Sequence, residues 1–237
     1  MSLRDSLFYS ALENIFWITS QTCSELKNYG SSKWWWQVRW ALYKAWFGYS
    51  PNLAIHKHLK NNNPEILQGN YLPDDCGDLT YGETLPGTAY DLLKTLEINS
   101  ESKVVDLGCG RGVFPLVAGA AFGAESIGCD IIEDYITRGN RATGYLNLQD
   151  KIKFQLLDFT RDPLPPADLY FLSATCLQEE TWQKLLTNLH RTAKPDNQVL
   201  SISQPLPHSL WQLQMRANVA FTWGKATVYA YSRKGNR

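Results

Sequence analysis

A glycine-rich loop and three acidic residues are the part of the sequence best suited to chemistry. The loop covers residues 106–112, with the sequence DLGCGRG, and joins a short apolar segment to a helical one. Glycine lets a backbone turn tightly and approach a ligand closely. Asp106, Asp130 and Asp158 lie at the ends of three successive predicted strands. Open α/β sheets bind ligands at the carboxyl ends of their strands, so we expect one site that contains all four features.

The glycine spacing distinguishes between cofactors. A dinucleotide fingerprint reads G-x-G-x-x-G. Here Gly108, Gly110 and Gly112 give G-x-G-x-G, and Val113 stands where the fingerprint requires glycine. S-adenosylmethionine has no pyrophosphate, but it carries an ammonium group, a carboxylate and a ribose. The loop therefore favours S-adenosylmethionine over a nicotinamide dinucleotide.

Each acid has a predicted role toward that cofactor. Asp106 can serve the ammonium group, directly or through water, while Gly108 and Gly110 leave bare backbone beside the methionine moiety. Asp130 ends the second strand, where a carboxylate can accept both ribose hydroxyls. Asp158 can accept the adenine amino group, and Phe159 can face the base.

The elements that must position these residues alternate between strand and helix. Strands are predicted at 104–107, 126–130, 152–157, 168–173 and 198–203, with helices at 112–122, 132–146 and 178–190. Short connections predict a parallel sheet covered on both faces. After residue 215, segments 218–222 and 227–231 predict an antiparallel hairpin. Pro86 can begin a helix that runs to Leu96, and residues 61–80 read as a connecting loop.

Residues 1–75 predict a helical N-terminal extension to a domain at 76–237. Phe8, Ala11, Leu12 and Ile15 recur at helical spacing, and a second helix carries an aromatic face. That face consists of Trp36, Trp40, Tyr43 and Phe47, widened by Trp35, Val38 and Leu42, with Gln37, Arg39 and Lys44 pointing elsewhere. We expect the rings to pack on the domain as core. A face that stacks on bases or lies on a membrane surface is the alternative.

Amino-acid composition indicates the cellular location more clearly than it indicates a binding partner. The 237 residues contain 23 basic and 23 acidic side chains, yet residues 25–60 and 197–237 are locally basic, which keeps nucleic acid open as a partner. Five widely spaced cysteines without a C-x-x-C pair favour a reducing, cytoplasmic location, and we predict no metal site. We expect no signal peptide and no membrane span.

The segment 103–203 resembles the class I S-adenosylmethionine-dependent methyltransferases, and the resemblance extends over about residues 80 to 233. It implies an α/β, Rossmann-like sheet of seven strands, mostly parallel, that ends in an antiparallel hairpin. It also implies an enzyme that uses S-adenosylmethionine.

Two segments are similar to one branch of that family, the non-SET protein-lysine methyltransferases, which include the telomeric-silencing histone methylases. Tyr81-Gly82-Glu83-Thr84 matches a loop that folds over the cofactor in that branch. Trp223-Gly224-Lys225, with Tyr229 beyond it, matches a hairpin beside the substrate channel, and Ser203-Gln204-Pro205 fits a proline past the fifth strand. After the fourth strand, however, Ser173-Ala174-Thr175-Cys176-Leu177 replaces an Asn-Asn-Phe-Ala-Phe run, which argues against a histone acceptor.

The resulting site prediction has two parts. Catalytic roles are assigned to Tyr81, Ser173 and Tyr229, with Trp223 as a further channel wall. The predicted cofactor-binding residues are Tyr81, Glu83, Thr84, Asp106, Gly108, Gly110, Gly112, Asp130, Ile131, Asp158, Phe159 and Ser173. The expected reaction is direct displacement at the sulfonium methyl, in which the protein aligns the nucleophile and needs no dedicated base.

The acceptor stays open at this point. A protein lysine is favoured. RNA or a small molecule is the alternative, although the Asn-Pro-Pro-Tyr motif of amino-methylating nucleic-acid enzymes is missing after the fourth strand. A cofactor-binding module without catalysis is a further alternative, and a nicotinamide-dependent oxidoreductase is the least favoured.

Overall fold

A single seven-stranded sheet organises the computed structural model, which describes residues 25–67 and 77–234. The strands are β1 (Lys103–Leu107), β2 (Glu125–Asp130), β3 (Ile152–Leu156), β4 (Leu169–Ser173), β5 (Gln198–Ile202), β6 (Trp211–Phe221) and β7 (Gly224–Arg233). Their order is β3-β2-β1-β4-β5-β7-β6. The first five strands pair in parallel, and β7 joins β5 and β6 antiparallel. The predicted fold class is confirmed.

Six helices of the described residues surround this sheet. They are α1 (Lys33–Trp46), α2 (Pro51–Asn62), α3 (Pro86–Thr95), α4 (Val113–Phe122), α5 (Glu133–Leu146) and α6 (Glu179–Thr192). Residues 25–29 are also helical, and short 3-10 turns lie at Pro64–Ile66 and Gly77–Leu79. The helix predicted around Phe8 to Ile15 lies outside the described residues. None of the described helices is long and apolar enough to cross a membrane.

Strand register brings the candidate site together at one edge of the sheet. Leu107 on β1 is the partner of Cys129 on β2 and of Leu172 on β4. The loop after β1 therefore begins level with Asp130 and Ser173, which end the neighbouring strands. β1 lies at the centre of the parallel part of the sheet. The strand ends that the sequence assigns to the cofactor therefore all lie at the carboxyl-terminal end of these parallel strands.

The core forms two layers, one on each face of the sheet. One layer contains α1, α2, α3, α4 and α5, and its largest fully buried side chains include Trp46, Phe114 and Leu93. The other layer contains α6 and side chains such as Tyr170 and Trp182. The N-terminal helices thus share a hydrophobic cluster with the helices of the α/β unit.

The predicted core-packing face of α1 is confirmed for Trp35, Val38 and Leu42, which are buried, and wrong for Trp36, Trp40 and Phe47. Trp36, Trp40 and Phe47 are 53%, 57% and 71% exposed. The buried side of α1 carries Trp35, Val38, Arg39, Ala41, Leu42, Ala45 and Trp46. Ala41 and Ala45 are small and allow α1 to pack closely on α4 and α5. This explains why α1 buries this side rather than the side with more aromatic rings.

Arg39, predicted to point away from the aromatic face, is buried because it has a charged and an aromatic partner. Its Nη1 lies 3.5 Å from Glu25 Oε2, and its guanidinium stands 4.7 Å from the centre of the Trp35 ring. A buried charge is tolerated where it is paired in this way. Glu25 also accepts hydrogen bonds from the Trp35 indole at 3.1 Å and from the Gly87 amide at 2.6 Å.

The C-terminal hairpin is longer and tighter than predicted. Two residues, Thr222 and Trp223, connect β6 to β7, instead of the four residues 223–226. The first part of β6 is rich in exposed polar side chains, since β6 is the edge strand of the sheet, and a polar edge strand gives a weak hydrophobic signal. Gly224 follows the turn at φ +127°, a conformation that favours glycine.

Candidate active site

The glycine-rich loop is fixed by its own backbone. Gly108 and Gly110 have φ values of +83° and +52°, which explains the residue type at both positions. The amides of Gly108 and Cys109 both donate to the Cys129 carbonyl, at 2.8 and 2.9 Å, and lock the loop to the end of β2. What the loop offers to a ligand is therefore its bare Cα surface.

Gly112 serves the fold rather than the cavity. Its φ is +82°, and a Cβ at this position would collide with the Phe154 ring on β3. It precedes α4 and lets that helix start close against the sheet. Gly112 was predicted to bind the cofactor, but it lines neither of the two cavities described at this end of the sheet.

Asp130 is buried at the end of β2, with both carboxylate oxygens already oriented. Oδ2 accepts from the Gly110 amide and Oδ1 from the Ile132 amide, each at 3.0 Å. Burial raises the pKa of Asp130 to about 6, although backbone hydrogen bonds act in the opposite direction. Each oxygen keeps a free lone pair, so the carboxylate can accept two further hydrogen bonds from a diol.

Asp106 is 2% exposed, and its Oδ1 has no hydrogen-bond partner among the described residues. Burial raises the pKa of Asp106 well above its ordinary value, and the nearby Asp130 adds to the rise. Beside it lies a cavity of about 20 Å³, also lined by Glu83, Thr84 and Ser173. That volume suits one water-sized group, and a buried carboxylate oxygen without a partner suits a cationic donor.

Asp158 holds its own loop. Oδ1 accepts from the Thr160 amide at 2.9 Å and from the Thr160 hydroxyl at 2.6 Å, and Oδ2 pairs with Arg161 at 3.2 Å. The neighbouring Phe159 ring lies beside Gly108, where an added Cβ would be 3.7 Å from it. Both residues line the large cavity, so a contact to adenine stays a prediction for both.

The two segments taken from the resemblance meet over the glycine-rich loop. The Tyr81 ring covers Gly110, where an added Cβ would lie 3.2 Å away. Gly82 is packed against Trp223 in the hairpin turn, and a Cβ there would be 2.7 Å from the indole. The sequence places Tyr81 and Trp223 far apart along the chain, and the fold brings both to one cavity.

Glu83 holds the segment Tyr81-Gly82-Glu83-Thr84 in place. Its backbone exchanges two hydrogen bonds with Thr222, at 3.1 and 3.2 Å. Its side chain is 5% exposed, accepts the Tyr81 hydroxyl at 2.5 Å and lies 3.6 Å from Arg111 Nη1. Burial raises the pKa of Glu83, and Arg111 opposes that rise. Arg111 in turn stands 5.4 Å from the centre of the Trp46 ring on α1.

The large cavity has a volume of about 710 Å³. The predicted residues on its wall are Tyr81, Gly108, Gly110, Asp130, Ile131, Asp158, Phe159 and Ser173, together with Trp223. Glu83, Thr84 and Asp106 line the small cavity beside it, which shares Tyr81, Gly108 and Ser173. The volume is within the range of small-molecule sites.

Tyr229 is not brought to this cavity. It belongs to β7, where side chains alternate between the two faces of the sheet. Val228 and Ala230 face the layer that contains α1 to α5, so Tyr229 and Tyr231 face the other layer, with their rings stacked at 6.3 Å. Arg216 on β6 stands 5.7 Å from the Tyr229 ring. The placement gives no support to a catalytic role for Tyr229.

Sequence reasoning missed the wall opposite the glycine-rich loop. The turn Gly77–Leu79, read as part of a connecting loop, lines the cavity beside Cys176 and Thr181. Asp78 caps α6 from a distance: it accepts from the Gln178 amide at 2.5 Å and from the Thr181 hydroxyl at 2.6 Å. An acid one hundred positions before a helix N-terminus carries no local signal, so only the fold reveals this cap.

The charged side chains on the described wall of the large cavity are all acidic. Asp78, Asp130 and Asp158 line the large cavity, and no lysine, arginine or histidine is found among its described lining residues. Away from these acids the lining is mostly apolar or hydroxylated, and Leu79, Leu177 and Trp223 are among its larger apolar groups. An acidic and partly apolar cavity attracts cations and repels anions.

Comparisons with known proteins agree with this geometry. A family model described as a methyltransferase domain matches residues 104–196. No curated protein matches the chain. Among solved structures, an RNA methyltransferase from Salinibacter ruber, in complex with S-adenosyl-L-homocysteine, is 20% identical over 65% of this chain and 95% of its own, with a TM-score of 0.56.

Two further structures share the fold. TrmN from Thermus thermophilus is 20% identical over 63% of this chain and 49% of its own, with a TM-score of 0.56. A geranyl diphosphate C-methyltransferase from Streptomyces coelicolor, solved with S-adenosyl-L-homocysteine, is 14% identical over 62% of this chain and 78% of its own, with a TM-score of 0.52. The fold is that of these methyltransferases, two of which were solved with S-adenosyl-L-homocysteine, the demethylated form of the cofactor S-adenosylmethionine.

The described residues fit this cofactor. Asp130 offers a preoriented carboxylate for a ribose, and the open Cα atoms of Gly108 and Gly110 leave room for the methionine moiety. Asp106 Oδ1, buried and without a hydrogen-bond partner among the described residues, suits the ammonium group. The cavity volume also leaves space beside the cofactor for an acceptor.

Proposed function

Taking the chain as an S-adenosylmethionine-dependent methyltransferase, we propose that it transfers the methyl group to an amine nitrogen, with a protein lysine as the acceptor. The observation that carries this proposal is the charge of the large cavity. Its described wall holds no basic side chain, and Asp78 adds a carboxylate to those of Asp130 and Asp158, which are assigned to the cofactor. A lysine side chain is a cation on a slender apolar stem, and both parts are complementary to such a wall.

The same wall disfavours acceptors that carry phosphate next to the reacting atom. Sites for phosphate and diphosphate groups use arginine, lysine or a metal ion to balance the charge. Asp78, Asp130 and Asp158 would instead repel such a group. The charge argument thus ranks a neutral or cationic acceptor above an anionic one.

The chain's own residues perform three tasks in this reaction. The bound cofactor supplies an electrophilic methyl group with sulfur as a good leaving group. The Asp130 carboxylate and the glycine-rich loop orient the cofactor, while the wall around Trp223 and Leu177 aligns the acceptor nitrogen with the methyl. The nitrogen must be neutral to react. The apolar groups Leu177 and Trp223 favour the neutral amine, whereas the carboxylates of the wall favour the ammonium form that they attract.

Tyr81 and Ser173 have different parts in the acceptor wall. The Tyr81 hydroxyl is committed to Glu83, and burial raises the pKa of this phenol well above its ordinary value, so it stays neutral. Tyr81 therefore contributes a ring over the glycine-rich loop and no proton transfer. Ser173 is partly exposed at the end of β4 and lines both cavities, so its hydroxyl is available for an acceptor or for the cofactor.

RNA is the second candidate acceptor. The observation in its favour is the segment Lys33–Asn62, which contains five basic residues and no acidic one. One of the similar structures is an RNA methyltransferase. A single-stranded nucleotide could reach the cavity with a neutral base edge while its phosphates stay outside.

The test is methyl transfer from radiolabelled S-adenosylmethionine into a cell lysate divided into protein and RNA fractions. We expect label in protein, which acid hydrolysis then recovers as methyl-lysine. The Asp130→Ala variant, which lacks the predicted ribose acceptor, controls for background transfer. Label that ribonuclease removes would establish RNA as the acceptor instead, and cofactor binding without transfer to any fraction would favour a module without catalysis.

A further inference from the structure

The exposed face of α1 is a continuous aromatic ridge. Trp40 and Tyr43 stack with ring centres 5.7 Å apart, and Tyr43 meets Phe47 edge to face at 5.4 Å. Trp36 continues the ridge one turn earlier, and its indole nitrogen donates to the Gly30 carbonyl at 2.8 Å. Trp40, Tyr43 and Phe47 are therefore in ring contact, and together with Trp36 they present apolar surface to solvent.

This ridge is larger than scattered surface residues require. Trp36, Trp40 and Phe47 are each more than half exposed, and Tyr145 on α5 is a further 46% exposed. Lys44 Nζ connects the two helices, at 5.2 Å from the Trp40 ring and 5.9 Å from the Tyr145 ring. Clustered exposed aromatics of this kind mark a contact surface.

The lysines and arginines of α1 and α2 have no acidic residue beside them on these two helices. Lys33 and Lys44 are exposed and stand eleven residues apart, which is about three helical turns and places them on the same side of α1. A partner that fits this surface is therefore anionic and able to accept indole and phenyl rings.

We propose that this face of α1 binds an anionic lipid surface, with the helix lying in the plane of the interface. Tryptophan and phenylalanine on one face of a helix enter the boundary between headgroups and acyl chains, and lysines beside them attract acidic headgroups. Lys33 and Lys44 have stems long enough to reach the headgroups while the rings are inserted.

Two other partners fit the same face less well. Trp40 and Tyr43 already stack on each other, so no gap between them receives a nucleic-acid base. A second copy of the chain, packed ridge to ridge, would bring Lys33 and Lys44 against the same lysines of its partner. A lipid surface needs neither a gap nor charges of opposite sign on a second copy.

The contact would also orient the cavity. Phe47 ends the ridge, and the preceding Trp46 packs on Tyr135 with ring centres 5.6 Å apart. Tyr135 lines the large cavity. The membrane-facing end of α1 is thus separated from the cavity by one layer of side chains. The lipid contact itself is independent of which acceptor the enzyme uses.

The test is co-sedimentation of the full chain with vesicles of phosphatidylcholine and phosphatidylserine, compared with phosphatidylcholine alone. We expect binding to the anionic vesicles that weakens with added salt. The double variant Trp40→Ala/Phe47→Ala should bind at least about tenfold more weakly, since two rings lose their apolar contact.

The matched control is Leu156→Ala/Leu213→Ala, which truncates exposed apolar side chains on the two edge strands of the sheet. It should bind vesicles like the unmodified chain, and both variants should keep its affinity for S-adenosylmethionine, which shows that they are folded. Absence of vesicle binding by the full chain would overturn the proposal. Vesicle binding by the ridge variant equal to that of the unmodified chain would also overturn it. So would a ridge variant that keeps vesicle binding and loses only binding to single-stranded RNA or only dimer formation.

Discussion

Acidification should weaken cofactor binding through the carboxylate of Asp130. Its carboxylate must be ionised to accept two hydroxyl donors, and burial raises its pKa to about 6. If only the ionised form binds the ribose well, lowering the pH from 7 to 5 changes the competent fraction from about nine tenths to about one tenth. The expected loss of S-adenosylmethionine affinity is about tenfold.

The same titration acts in the opposite direction on the stability of the unliganded protein. The folded-state pKa of Asp130 lies above its ordinary value of 3.8, so the folded protein holds the proton more tightly than the unfolded chain. A shift of this size costs about 3 kcal/mol above pH 6. The cost diminishes as the pH falls from about 6 to about 4, and it is absent below that window.

Calorimetric titration at pH 7 and pH 5 measures the binding part of this prediction, and thermal unfolding without ligand measures the stability part. The Asp130→Asn variant should bind S-adenosylmethionine weakly at both pH values. Its side-chain NH2 group cannot accept a hydrogen bond, so it faces the N–H of Gly110 or of Ile132, from which the carboxylate accepts in the unmodified chain. Asp106→Asn is the control, since burial raises the pKa of Asp106 as well. A tenfold pH effect that persists in Asp130→Asn and disappears in Asp106→Asn would refute the assignment.

Three further substitutions test how the site is supported. Gly112→Ala should cost at least about 2 kcal/mol of unfolding free energy, since it adds a clash to backbone strain. Gly48→Ala, at φ +70° with open space around it, should show the strain alone, and equal losses would contradict this. Glu83→Gln should cost about 3 kcal/mol or more in chemical denaturation by leaving Arg111 buried without its carboxylate, and Arg111→Met in addition should recover part of it. Trp46→Ala should cost about 3–5 kcal/mol and also weaken S-adenosylmethionine binding in titration, whereas unchanged affinity would show that α1 does not support the loop.

Local signals were sufficient for the sheet and for the glycine-rich loop. The apolar run at β1, the glycines at 108 and 110, and Asp130 at the end of β2 are close in sequence to the structure they form. Backbone conformation at such positions is decided by the residue itself, since only glycine adopts these φ values at low cost. That is why the strand ends and the acids beside them were predictable.

Long-range packing was not predictable in the same way. Nothing in the local sequence relates Asp78 to the start of α6, yet its carboxylate accepts from both Gln178 and Thr181. The placement of Tyr229 failed for a related reason. In a strand the face of every side chain depends on register, and β7 takes its register from β5 and β6 rather than from its own pattern.

The direction of α1 shows how charge can override a hydrophobic pattern. Counting rings assigns the buried face to Trp36, Trp40 and Phe47, but a helix buries the side that its surroundings can fill and pair. Arg39 is on the buried side because Glu25 receives its charge. A periodicity argument that treats arginine as a surface residue therefore assigns part of the wrong side of the helix to the core.

The orientation of α1 also affects how the candidate site is supported. With α1 turned inward at Trp46, its indole lies against Arg111, which pairs with Glu83, which holds the Tyr81 hydroxyl over the glycine-rich loop. The outward side of the same helix is left with the aromatic ridge. One helix thus connects a candidate lipid contact to the floor of the cofactor site through paired, buried groups, and such groups are costly to separate. A helix outside the matched methyltransferase domain is for this reason structurally part of the candidate site.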